Sequence, residues 1–255
     1  MFFIYTIIFF ALLNLARYLL IAGSAYYFFW GRTNTWTDKY RLQHIPFSAE
    51  QMKTEFSYSV LSSLIFGFIL AIAFTDILRQ DLLAPMQISP LRFLAELIVL
   101  VVIHDTYFYW MHRILHHPKL FATIHQVHHL SRNPSPWAAF SFHPLEAVLE
   151  IGWIVPLTYL FPFDLWVWGA FGFVIVGINV MGHLGVEIYP QFWKSHPVLK
   201  FLNFSIAHNQ HHFHSKGNFG LYFSIWDQLM GTYNSGSSSS EYLGDLPFKS
   251  NTPLK

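Results

Sequence analysis

Histidine supplies most of the chemistry this chain can do. Eight of its fifteen histidines fall into three groups: His112 and His116 as HxxxH, His125, His128 and His129 as HxxHH, and His208, His211 and His212 as a second HxxHH. On an α-helix the positions i, i+3 and i+4 share one face, with Cβ atoms about 5 to 6 Å apart, so each group is expected to aim its rings at one point. A neutral imidazole nitrogen binds a metal at pH 7 without first losing a proton, and it suits zinc, copper, iron or nickel. One HxxHH arises by chance in roughly one chain in twenty of this length and histidine content, so two make coincidence a poor explanation. Eight rings exceed the roughly four to six ligands one ion holds, and two ions sharing eight or nine histidines fit better. His183, in "MGHLGVE" at the end of the last apolar stretch and one helical turn before Glu187, is the ninth candidate. Acidification below about pH 6 is expected to release such ions, because a protonated ring cannot bind.

A metal-bound histidine usually donates its other ring N–H to a carboxylate or carbonyl. Asp105, seven residues before His112 and on the same helical face, is one candidate for that part, with Glu146, Glu187 and Asp227 as others. No catalytic side chain is expected beyond the ligands and these carboxylates. His104, His117, His143 and His214 carry a weaker signal, and contact of His143 or His214 with metal stays open at this stage. His44 and His196 have no partner at metal spacing.

The elements that must position these rings belong to a membrane protein. Apolar residues make up 53% of the 255 residues and charged residues only 11%, against roughly 25% charge in an ordinary soluble domain. The net charge of +1 argues against nucleic acid as a partner. With no cysteine, disulfides, thiolate metal sites and a cysteine nucleophile are excluded. Crossing roughly 30 Å of hydrocarbon takes about 20 apolar residues. Such runs stand at Phe2 to Trp30, Ser57 to Ile77 and Phe93 to Trp110, and Leu145 to Leu184 is long enough for two passes turning at "FPFD". The expected fold is therefore an all-α integral membrane protein of about four to five transmembrane helices with a helical cap. The first run is read as a retained helix, since no basic residue precedes it. With the N-terminus outside, Arg32, Lys39, Arg41, Lys53, Arg113, Lys119, Arg132, Lys194, Lys200, Lys216, Lys249 and Lys255 fall inside, leaving Arg79 and Arg92 outside and Arg17 buried. That bias places the histidine groups on the cytosolic side. The organisation reads as membrane helices and loops over 1–92, a catalytic domain over 93–233 and a flexible tail over 234–255 that begins with "SGSSSS".

The stretches "HDTYFYWMHRILHHPKLFATIHQVHHLSRNPSPWAAFSFHPLEAVLE", "GHLGVEIYP" and "HNQHHFHSKGNFGLYFSIWDQLMGTY" resemble the sterol desaturase and fatty acid hydroxylase superfamily of integral-membrane di-iron oxygenases. The "NPSP...FHPLE" segment looks most like the lathosterol-oxidase type of sterol desaturase. The resemblance implies two non-haem iron ions held by the eight box histidines, with His183 matching a further histidine often used. It also implies dioxygen as co-substrate and oxidation of a lipid C–H bond, leaving a hydroxyl group or a double bond. The electrons would come from a separate donor, either cytochrome b5-like or a ferredoxin-type protein with its reductase. The lipid is expected to be a sterol or sterol-like molecule, with a fatty acyl or sphingoid lipid as the alternative. The host membrane would be the endoplasmic reticulum in a eukaryote or the inner membrane in a bacterium. A non-catalytic metal-binding protein or transporter is the reading from another class. Transporters place ionisable ligands near the bilayer midplane, whereas these groups follow the apolar runs.

Overall fold

The computed structural model describes residues 1–31, 35–43, 46–81 and 88–234. The expected C-terminal tail lies outside the described residues apart from its first position, as do His44, Arg32, Lys249 and Lys255. Ten α-helices are described: α1 (Phe2–Phe29), α2 (Thr35–Asp38), α3 (Ala49–Asp81), α4 (Pro90–Leu115), α5 (Pro118–Thr123), α6 (Pro144–Gly152), α7 (Ile154–Leu160), α8 (Leu165–Gly182), α9 (Ser205–His214) and α10 (Ile225–Leu229). Among the described residues there is no strand, only two isolated bridges, Arg41 with Val186 and Leu202 with Phe223.

Local sequence sets the ends of the helices that matter. At α4 the Ser89 hydroxyl accepts from the Arg92 N–H at 3.3 Å, and Pro90 takes the first turn, where its missing N–H costs nothing. α4 stops at His116 because Pro118 cannot continue it and instead opens α5. Asp164 caps α8 through the Trp166 N–H at 2.8 Å, and His143 caps α6 in the same way by accepting from the Leu145 N–H at 3.2 Å.

Among the described residues three helices are long and apolar enough to cross a membrane: α1, residues 49–78 of α3, and α8. Two of the expected passes are not among these three. α4, the third expected span, is not among them; it carries Arg92, Glu96, His104 and Asp105. The first half of the Leu145–Leu184 run is broken between α6 and α7, helices of nine and seven residues, each too short to span alone. Large apolar side chains stand exposed along α1 and α3, among them Ile4, Leu12, Leu20 and Leu64, as membrane-length helices require.

α1 and α3 approach closely at small residues. A Cβ on Gly67 would sit 2.6 Å from the Ala11 Cβ, so glycine lets the two backbones meet. Gly67→Val is therefore expected to separate the pair and lower the unfolding temperature in detergent; an unchanged melting curve would contradict that packing. Further along, the Tyr18 hydroxyl and the Ser59 hydroxyl both donate to the Trp137 carbonyl, at 2.8 and 2.9 Å. The carboxylate of Glu55 binds Ser135. These contacts fasten the segment between the second histidine group and α6 onto α1 and α3.

Candidate metal centre

The C-terminal ends of α4 and α8 deliver His112, His116 and His183 to the cap, where they meet His125, His128 and His129 on a 3-10 helix (His125–Leu130) and His208, His211 and His212 on α9. The nine rings form two sets: His112, His116, His125, His129 and His211 in one, and His128, His183, His208 and His212 in the other. Within each set the ligand atoms lie within 4.8 Å of one another. Every ring except His116 is buried.

The spacing argument expected each box to converge on one point, and the structure divides them. His125 and His129 join the larger set while His128 joins the smaller; His208 and His212 join the smaller while His211 joins the larger. Each HxxHH box therefore straddles two centres. The rings of His129 and His212 stack between the sets at 4.8 Å.

In both sets it is the Nε2 atoms that converge. His112 and His125, His125 and His129, His129 and His211, and His211 and His116 all stand 3.1 Å apart, Nε2 to Nε2. In the smaller set His183 is 3.3 Å from His128 and 3.1 Å from both His208 and His212, and His208 is 3.2 Å from His212. In six of the rings the opposite nitrogen points outward to a carbonyl or carboxylate. Nδ1 of His112 faces the Phe219 carbonyl at 2.9 Å, that of His211 the Gly217 carbonyl at 2.7 Å, and that of His212 the Ser131 carbonyl at 3.0 Å. Nδ1 of His183 faces the Asn179 carbonyl at 2.7 Å, that of His128 the Ser141 carbonyl at 3.3 Å, and that of His125 the Glu146 carboxylate at 2.6 Å.

These partners assign the tautomers. A carbonyl or carboxylate only accepts, so Nδ1 carries the proton and Nε2 presents a lone pair. The inward contacts are then lone pair against lone pair and cannot be hydrogen bonds. A shared cation would remove the repulsion. An ion about 2.1 Å from each nitrogen sets right-angle neighbours about 3.0 Å apart, which matches the 3.1 Å separations. The donor set fits a pair of first-row transition ions: all imidazole in the rings, with five nitrogens in one set, more than the four that close a structural zinc site. The C-terminal ends of α4 and α8 add the negative ends of two helix dipoles.

Burial keeps the rings neutral. It pushes His125, His128, His129, His208 and His212 well below the usual histidine range, with neighbouring rings adding to the effect. His183 and His211 fall to about 4, burial again dominating over the carbonyl each ring donates to.

Of the four carboxylates singled out, Glu146 reaches a histidine ring directly. The other three hold backbone. Asp105 accepts from the N–H groups of Tyr222 and Phe223 at 2.9 and 3.1 Å. Asp227 accepts from Phe219 and Gly220 at 2.9 and 2.8 Å and so fixes the strip whose Phe219 carbonyl takes the His112 proton. Glu187 accepts from the Ile206 N–H in the first turn of α9 at 3.2 Å. His143 caps α6, His117 is exposed at the start of α5, and His196 accepts from Val198 and Leu199 in a loop. His104 is buried in α4 against the Tyr222 hydroxyl at 2.9 Å, and His214 ends α9; both lie outside the two sets.

Sequence reasoning did not find the backbone acceptors. One had a signal: Ser215, Gly217 and Asn218 all take positive φ after α9, and "SKGN" is the composition such a turn favours. That left-handed turn swings the Gly217 carbonyl back to His211.

The family described as fatty acid hydroxylase matches residues 97–232, just over half of the chain and all nine converging histidines. The chain belongs to this family. Among curated relatives, it is 27% identical to human lathosterol oxidase over 87% of this chain and 72% of that one. It is 29% identical to a Delta(7)-sterol 5(6)-desaturase of Aspergillus fumigatus over 85% of this chain and 58% of that one. It is 30% identical to one of Gibberella zeae over 85% of this chain and 64% of that one. The chain thus spans about three-fifths of the length of these fungal relatives. No solved structure matches the chain. Within this family member, the C-terminal ends of α4 and α8 bring three of the nine rings to the others.

Proposed function

We propose that this chain is a membrane-bound non-haem di-iron oxidoreductase that uses dioxygen to desaturate or hydroxylate a C–H bond of a sterol-like lipid. The observation that carries the reading is the pair of adjoining Nε2 sets, five and four, in a buried centre attached to membrane-length helices. His112, His116, His125, His129 and His211 would hold one iron, and His128, His183, His208 and His212 the other. When bound, the irons supply the one-electron and dioxygen chemistry that no side chain performs.

The protein's own part is orientation and exclusion. The carbonyls of Phe219, Gly217, Ser131, Ser141 and Asn179 each hold a ring proton on the outer side, so the lone pairs point inward. Glu146 does the same for His125 at 2.6 Å and so fixes the direction of that ring. The buried rings keep bulk water from the centre. Relatives named for sterol oxidation or desaturation favour a sterol-like substrate. The family's description as fatty acid hydroxylase favours hydroxylation of a fatty acyl or sphingoid chain as the second reading. A transporter is disfavoured because the rings sit at the ends of α4 and α8 rather than midway along a span.

Arg41 bridges Val186 beside His183 in the chain, and Arg113, Lys119, Arg132, Lys194, Lys200 and Lys216 lie in the segments that carry or adjoin the histidine groups. Positive charge concentrates on the cytosolic side, so a multi-pass chain with a cytosolic site follows. The electron donor would be a separate protein.

The test is elemental analysis of purified protein joined to lipid mass spectrometry of cells with and without the gene. The expected result is roughly two irons per chain, with a lipid gaining one oxygen atom or losing two hydrogens. An active preparation holding one metal, or zinc alone, would overturn the di-iron reading.

A further inference from the structure

A cleft opens beside the second set of histidines, at the cap end of α8. Its lining includes Ile178, Asn179, Gly182, Phe204, His208 and Leu221, and its volume is about 10 Å³, room for one water-sized group. Two polar groups on this lining are unusual. Asn179 is the one amide, hydroxyl or charged side chain in the eighteen residues of α8. It is more than nine-tenths buried, at 7% exposure, yet its side-chain amide makes no hydrogen bond among the described residues. A polar side chain at such depth is costly unless it has a partner.

His208 is the second. Ser215 meets the outer sides of His116 and His129, so among the described residues His208 is the one of the nine rings whose outer nitrogen meets no acceptor; its contacts are the inward ones to His183 and His212. The other polar lining groups are committed, the Asn203 amide to the carbonyls of Gly220 and Leu221 and the Tyr189 hydroxyl to the Met181 sulfur. Gly182 keeps the mouth open against the ring, since a Cβ there would lie 3.2 Å from His208 Cδ2.

We propose that this cleft binds the hydroxyl end of a lipid, with Asn179 and the outer N–H of His208 as its hydrogen-bonding partners. This rests on the metal-binding reading above, in which Nε2 of His208 faces an ion and Nδ1 carries the proton. A hydroxyl accepts one hydrogen bond and donates another, which matches an N–H donor beside an amide. No arginine or lysine lines the cleft, and Lys194 stands over the Phe204 ring at 5.9 Å, so a neutral alcohol fits better than a carboxylate or phosphate. The volume admits the hydroxyl group itself and not the carbon body of a lipid. The remainder stays in the bilayer along α8, where Phe173 is exposed.

The test is equilibrium binding to the iron-loaded full chain in phosphatidylcholine nanodiscs. The probes are cholesterol against its counterpart lacking the hydroxyl, and octadecanol against octadecane. Wild-type protein is expected to prefer the alcohol of one pair by roughly tenfold, the worth of one good hydrogen bond. Asn179→Leu should erase that preference, and Asn179→Ser should restore part of it. Neither change touches the Asn179 carbonyl that takes the His183 proton, so iron content, measured alongside, should stay at the wild-type value. A preference unaltered in Asn179→Leu, or none in either pair for wild type, overturns the proposal. A chain that selects the alcohol through Asn179 but yields no oxidised lipid keeps this site and loses the oxygenase reading.

Discussion

Replacing His128 by alanine is expected to give a chain that still inserts and folds, holds about one metal ion instead of two, and turns over lipid more than about a hundredfold more slowly. His128 belongs to the smaller set, where its Nε2 stands 3.3 Å from that of His183. Losing one of four nitrogens leaves three, whereas the other set keeps all five. Loss of an outer hydrogen-bond partner already costs about 10- to 100-fold in metal affinity or activity, and a direct ligand should exceed that. Folding should survive because the substitution removes a lone pair from a crowded cage and leaves α4, α8 and α9 with their caps. His117→Ala is the control: this ring is exposed next to His116, outside both sets, and its removal should change neither metal content nor turnover. Two metals and full turnover in the His128 variant would strike it from the ligand set.

Acid should act on the same centre, and the sign follows from burial. His183 and His211 have folded values near 4 against about 6.5 in an unfolded chain. Between those values the unfolded chain binds protons that the folded one does not, so stability is present above pH 6.5 and drains away as pH falls toward 4. Each such ring contributes a slope of about 1.4 kcal/mol per pH unit across that window. The remaining rings outside the helical spans are also pushed down by burial and act in the same direction. Asp105, Glu146, Glu150, Glu187 and Asp227, whose carboxyls burial pushes up, work in the opposite sense and are outnumbered by the rings. Bound metal strengthens the trend, because protons and ions compete for the same nitrogens. The structure therefore lowers the release expected from sequence: metal should be largely kept at pH 6 and lost by about pH 4, with the melting temperature falling together with it. Dialysis at stepped pH followed by iron analysis checks this, and a profile flat from pH 7 to 4 would contradict the neutral-ring account.

Much of the centre was legible because histidine identity and spacing are written in the chain. All nine rings could be named, and α1, α3 and α8 announced themselves by long apolar runs whose burial in lipid requires no partner to be known. Helix ends were also local matters, as at Ser89–Pro90 and Asp164. α4 was harder to read, since an apolar stretch carrying His104 and Asp105 serves the protein core as well as it would a bilayer.

The division of the rings into five and four was decided only by tertiary structure. Helical spacing says which side chains share a face, but a face about 100° wide can serve two centres when an ion lies on either side of it, and the second box sits on a 3-10 helix whose turn differs from that of an α-helix. The acceptors that turn each lone pair inward are mostly main-chain carbonyls, those of Phe219, Gly217, Ser131, Ser141 and Asn179. Every residue carries such a carbonyl, so residue identity does not mark which one will meet a given ring. Only the packing of distant segments makes that choice.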